Sequence, residues 1–83
     1  MKVLLSREAQ RDVAELPIVI RARLHGVFQR LERWPEVSGA KPMRGELAGH
    51  YRLRTGDYRI LLRVDGDRVL VERIGHRDRF CDG

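Results

Sequence analysis

One cysteine, Cys81, and three scattered histidines, His25, His50 and His76, are all that this 83-residue sequence offers to disulfide or zinc chemistry. A single thiol closes no internal disulfide, and the histidines stand too far apart for any standard zinc pattern. Neither a metal nor a cofactor is expected, and a reducing, cytoplasmic setting fits. Long apolar runs are also absent. Nothing approaches the roughly 18 to 20 residues that span a bilayer, and Met1-Lys2-Val3-Leu4-Leu5 meets Arg7 and Glu8 before a signal-peptide core develops. A soluble, unexported protein without membrane contact is expected. Repeats, low-complexity tracts and linkers are missing too, so residues 1–83 read as a single domain with no room for separate cofactor and substrate modules.

What is present is a modest core and a large excess of arginine. Hydrophobic residues make up 42% of the chain and charged ones 35%. That is enough apolar matter for a core, although a domain this short hides only roughly 60 to 65% of its unfolded surface. The net charge is +5, and 15 of the 17 basic residues are arginine, the planar donor suited to phosphate and carboxylate. Nucleic acid or an acidic protein is the expected partner.

Periodicity divides the chain in two. Lys2 to Leu5 reads as a short strand, ended by Ser6, whose hydroxyl suits a helix N-cap. A first helix over about Arg7 to Leu16 carries Ala9, Val13 and Leu16 on one face. Pro17 ends it and suits the start of a second helix, from Ile18 to about Trp34. That helix has an apolar stripe of Ile20, Leu24, Val27, Phe28, Leu31 and Trp34, with Arg21, Arg23, His25, Gln29, Arg30, Glu32 and Arg33 on the solvated side. Gly26 would permit close approach of another element, and Pro35 stops the helix.

The period then changes from 3.6 to 2. Three strands are predicted, at about His50 to Arg54, Tyr58 to Val64 and Arg68 to Ile74, joined by short Gly-containing connections at Thr55-Gly56-Asp57 and Asp65-Gly66-Asp67. The order is β-α-α-β-β-β, an α+β fold with two N-terminal helices packed on a small antiparallel sheet. Tyr58, Ile60, Leu62 and Val64 form the row that faces the helices.

The opposite rows are cationic. His50, Arg52 and Arg54 share one face, as do Arg59, Leu61 and Arg63. Between His50 and Arg63 only Asp57 is acidic, so an external anion is the natural complement. A two-residue turn at Thr55-Gly56 would set Arg52 opposite Arg59, a costly like-charge pair. For the last strand the register is open: a three-residue loop over Asp65, Gly66 and Asp67 places Arg77 with Arg59, and a two-residue loop places His76 there instead.

Arg44-Gly45-Glu46-Leu47, Tyr51-Arg52-Leu53-Arg54, Gly56-Asp57-Tyr58-Arg59-Ile60 and Ile74-Gly75-His76-Arg77, in this order, resemble the signature of the RelE/ParE toxin superfamily over nearly the whole chain. The resemblance implies a small α/β toxin neutralised by a cognate antitoxin. It further implies either metal-independent cleavage of messenger RNA in the ribosomal A site, as in the RelE-like branch, or poisoning of gyrase, as in the ParE-like branch. An inactive antitoxin-binding member is the remaining alternative. Carried over by motif, Arg52, Arg54, Arg59 and Arg77 are the expected catalytic arginines. Lys41, Arg44, His50, Arg63 and Phe80 complete the expected RNA-binding set. Arg59 and Arg77 suit stabilisation of the phosphorane that forms when a ribose 2′-hydroxyl attacks the adjacent phosphate. Arginine keeps its proton at neutral pH and makes a poor general base, so His76, with His50 behind it, is the expected proton carrier. The RelE-like branch usually has a tyrosine after the Gly-x-Arg segment. Here Phe80 stands in that region, able to stack on a base but with no proton to give.

Overall fold

A computed structural model describes residues 1–77. Strand β1 (Lys2–Leu5) leads into helix α1 (Arg7–Ala14), then α2 (Ile18–Leu31), a two-residue strand β2 (Lys41–Pro42), a short 3-10 turn (Gly45–Leu47), and strands β3 (His50–Thr55), β4 (Tyr58–Asp65) and β5 (Arg68–His76). The five strands form one sheet in the order β1-β5-β4-β3-β2. Among these described residues, no helix is long and apolar enough to cross a membrane.

Strands joined by two-residue hairpins must run antiparallel, and β3, β4 and β5 do. Strand β1 is released from that constraint by the two helices that follow it. It lies parallel to β5, with Val3 opposite Val69, so the sheet is mixed rather than wholly antiparallel. Both hairpins turn on Gly-Asp. Gly56 and Gly66 adopt φ of 57° and 61° at the first turn position, the left-handed conformation that a glycine-first hairpin turn requires.

The helix starts follow from local chemistry. Ser6 caps α1, its Oγ accepting the Ala9 N–H at 3.0 Å. Helix α2 starts after Pro17, stops at Leu31 and continues only as turns to Pro35, earlier than the apolar stripe predicts. Leu24, Val27 and Leu31 of α2 and Ala9 of α1 are buried against Leu53, Ile60, Leu62, Val69, Val71 and Ile74 of the sheet. At the far end of α2, Trp34 meets Tyr51 edge-to-face with ring centroids 4.7 Å apart. Gly26 corrects one expectation. It lies on the exposed side of α2, and a Cβ there would meet nothing within 4 Å, so no element approaches it.

Candidate functional site

One face of the sheet is covered by the helices; the other carries the cations. Residues opposite one another in a ladder share a face, so the register lists that outer face row by row. The first hairpin turns at Gly56-Asp57 rather than Thr55-Gly56. Arg54, not Arg52, therefore stands opposite Arg59, while Arg52 pairs with Leu61. Across β4, Arg59 stands opposite Gly75 and Leu61 opposite Arg73. Across β3, Lys41 stands opposite Arg52. The result is a row of Lys41, Arg52, Leu61 and Arg73 beside a row of Arg54, Arg59 and Gly75.

The second hairpin has a two-residue turn, Gly66-Asp67, with Asp65 opposite Arg68. On parity alone that would bring His76 to the Arg59 face. A bulge intervenes: Leu62 pairs with Val71 but Leu61 with Arg73, leaving Glu72 as an extra residue. One inserted residue exchanges the two faces for the rest of the strand. Gly75 thus joins Arg59, and Arg77, two residues on, follows the same alternation. His76 goes to the helix side, opposite Tyr58, with the two rings edge-to-face at 5.5 Å. There it borders a cavity lined also by Asp12, Glu15, Leu16 and Pro17. Of the two registers the sequence left open for the last strand, the structure thus has the one with Arg77, not His76, in the alternation of Arg59.

Among the described residues Arg59 is the one charged residue that is buried, with 4% exposure. Its Nε and Nη1 lie buried without a hydrogen-bond acceptor, although the residue as a whole is not without partners. Arg77 closes β5: its N–H donates to the Asp57 carbonyl at 2.8 Å, and its Nη1 stands 3.9 Å from Asp57 Oδ1. Arg52 is half-buried and Arg54 exposed.

The other end of the same face is neutralised internally. Glu72 Oε1 accepts from Arg63 Nε at 2.8 Å and meets His50 Nε2 at 3.0 Å. Four residues separate His50 from Arg54, about 13 Å at the usual rise of a strand. His50 is thus remote from Arg59 as well. Arg44, ahead of the 3-10 turn, is exposed and off the ladder. Phe80 and Cys81 lie outside the described residues.

Two acidic residues that the sequence did not mark prove important to the site's shape. Asp12 of α1 takes over where β1 ends: its Oδ2 accepts the Ile74 N–H and the Arg73 Nε, both at 2.9 Å. That hydrogen bond and the Asp12 charge raise the Arg73 pKa above its ordinary value. Glu72 is the other. Its carbonyl accepts the Ser6 hydroxyl at 2.7 Å and the Val71 carbonyl accepts the Ser6 N–H at 2.8 Å, so the residue that caps α1 also fastens the bulge. The sequence does carry a signal for the bulge. Val69, Val71 and Ile74 are spaced by two and then by three, a break in strict alternation.

Comparison with known proteins adds a family likeness. Residues 3–79 match the family model described as the ParE toxin of type II toxin-antitoxin system, parDE. Toxin RelG of Mycobacterium tuberculosis is 40% identical over 72 residues, spanning 83% of this chain and 82% of its own. Toxin RelE3 of Methanocaldococcus jannaschii is 29% identical over 85 residues, spanning 99% and 97%. The crystal structure of the toxin-antitoxin complex RelBE2 from M. tuberculosis superposes with a TM-score of 0.82 at 38% identity, over 92% of this chain and 90% of that one. The isolated E. coli RelE toxin, at 19% identity and a TM-score of 0.75, shares the fold.

Proposed function

The chain belongs to the ParE toxin family within the RelE/ParE superfamily and is the toxin of a type II toxin-antitoxin pair; from that premise we propose that it is a ribosome-dependent endoribonuclease acting on messenger RNA. The observation that carries this reading is the Arg54-Arg59-Gly75 row, with a buried guanidinium at its centre and Arg52 and Arg77 beside it. Like charges held together in a folded protein store unfavourable energy that a polyanion relieves. Gly75, opposite Arg59 in the ladder, adds no side chain to this row.

In this mechanism the bound RNA presents one phosphodiester to the row. The neighbouring 2′-hydroxyl attacks phosphorus, the bond to the 5′-oxygen breaks, and a 2′,3′-cyclic phosphate remains on one product. Arg59 and Arg77 hold the non-bridging oxygens as negative charge develops, a permanent-charge stabilisation in a partly dehydrated site. Arg52, Arg54 and Lys41 track the flanking phosphates. By ladder register neither His50 nor His76 shares this row, and the roles assigned here to its arginines are positioning and charge stabilisation. A cognate antitoxin is the second partner: the M. tuberculosis relative was solved as a toxin-antitoxin complex. An acidic or amphipathic antitoxin segment over the cationic face would neutralise it.

A second reading, gyrase inhibition, is favoured by the ParE description of the matching family. Induction of the protein, followed by mapping of new messenger RNA 5′ ends and assay of plasmid supercoiling, separates the two. Codon-phased cuts, lost with Arg59→Leu, support cleavage. Altered supercoiling without cuts overturns it in favour of gyrase.

A further inference from the structure

The bulge does more than set register. It places a carboxylate on a face that otherwise carries only cations, apolar side chains and glycine in the rows described above. Glu72 is the only acidic residue of β5, and it meets both His50 and Arg63, the two basic residues at that end. Arg54, at the other end, has no carboxylate partner among the described residues. Arg63 and His50 thus share one carboxylate at their end of the face, and Arg54 stands beyond its reach.

We propose that Glu72 is a specificity-determining residue that confines phosphate binding to the Arg54-Arg59 end by holding Arg63 out of the binding surface. This deepens the RNA-cleaving reading and rests on it. Without the Glu72 charge, Arg63 would offer a competing phosphate subsite. It stands four residues from Arg59 on the same strand, about 13 Å away at the usual rise. RNA that engages that subsite sits in a displaced register, bound but not aligned for attack.

The consequence is a distinctive pattern. Glu72→Gln leaves the bulge in place, because Ser6 holds it through the backbone carbonyl of residue 72 rather than through the carboxylate. The substitution should tighten RNA binding and steepen its salt dependence by about 0.7 in log-log slope, the increment for one further phosphate on a single strand. In cleavage assays kcat and KM should fall together by several-fold with kcat/KM nearly constant, the signature of non-productive binding.

The test is titration of a single-stranded RNA carrying a 2′-deoxy block at the cleavable position, across a salt series, against the wild type, Glu72→Gln and the double variant Glu72→Gln/Arg63→Gln. The expected result is a steeper slope for the single variant and a wild-type slope for the double variant. A purely structural effect of Glu72 would not be reversed by removing Arg63. Wild-type RNA binding with an unchanged slope in Glu72→Gln, or a steeper slope that persists in the double variant, overturns the role of Glu72 alone. No salt-dependent RNA binding by the wild type overturns the role of Glu72, and no codon-phased cleavage on programmed ribosomes overturns the RNA reading itself.

Discussion

At one end of the outer sheet face, Glu72 gathers Arg63 and His50 at 2.8 and 3.0 Å; at the other, Arg54 stands opposite Arg59 with glycine as the next neighbour. Both ends draw on the same residue types, on the same strands, within one small sheet. Glu72 meets both basic residues at one end, Asp57 stands 3.9 Å from Arg77 at the other, and a one-residue bulge decides where Glu72 falls. Charge count therefore does not locate a phosphate site on such a surface. Ladder register decides which of the cations share a row and which carboxylate lies near them.

The largest expected effect breaks the comparison at its cationic end. Arg59→Leu keeps the apolar part of a buried side chain and removes the guanidinium with its contacts, so the fold should survive with a lowered thermal midpoint. Cleavage should fall at least about 100-fold, or about 2.7 kcal/mol of transition-state stabilisation, measured by single-turnover assay on programmed ribosomes. Arg63→Gln at the opposite end should change the same rate by no more than a few-fold. Equal losses in both variants would erase the distinction between the ends.

The next effect falls on the device that maintains the register. Ser6→Ala removes the α1 cap and the hydroxyl donated to the Glu72 carbonyl, and should cost about 1 to 2 kcal/mol in chemical denaturation. A smaller loss is expected from Asp12→Asn. The amide oxygen still accepts the Ile74 N–H, and only the exposed ion pair with Arg73 is lost, worth up to about 1 kcal/mol and screened by salt. Smallest is Gly26→Ala, a gain of about 0.5 to 1 kcal/mol, since α2 has open space there and alanine is the better helix former. Destabilisation instead would mean that α2 packs against something on its solvated side.

Most of the helix-covered face was legible in the sequence. Ser6 as a cap, the Leu24-Val27-Leu31 stripe and the Tyr58-Ile60-Leu62-Val64 row follow from local chemistry and periodicity, and both survive small errors of boundary. The outer face was legible only in composition. Which arginine opposes Arg59 depended on whether the turn sits at Thr55-Gly56 or Gly56-Asp57, and the face of His76 depended on a bulge that lies remote from the turn. Each is a one-residue question, and in a strand one residue inverts the answer. Glu72 and Asp12 went unmarked because their roles arise from contacts between elements: Glu72 with β3, β4 and Ser6, and Asp12 with the exposed edge of β5.

The most direct test of the central claim is a map of backbone amide shifts on titrating the protein with single-stranded RNA blocked at the 2′-position. Perturbations are expected to centre on Arg52, Arg54, Arg59, Gly75 and Arg77, with little change at His50 and Arg63. A map centred on His50 and Arg63, or on the arginines of α2, would contradict it.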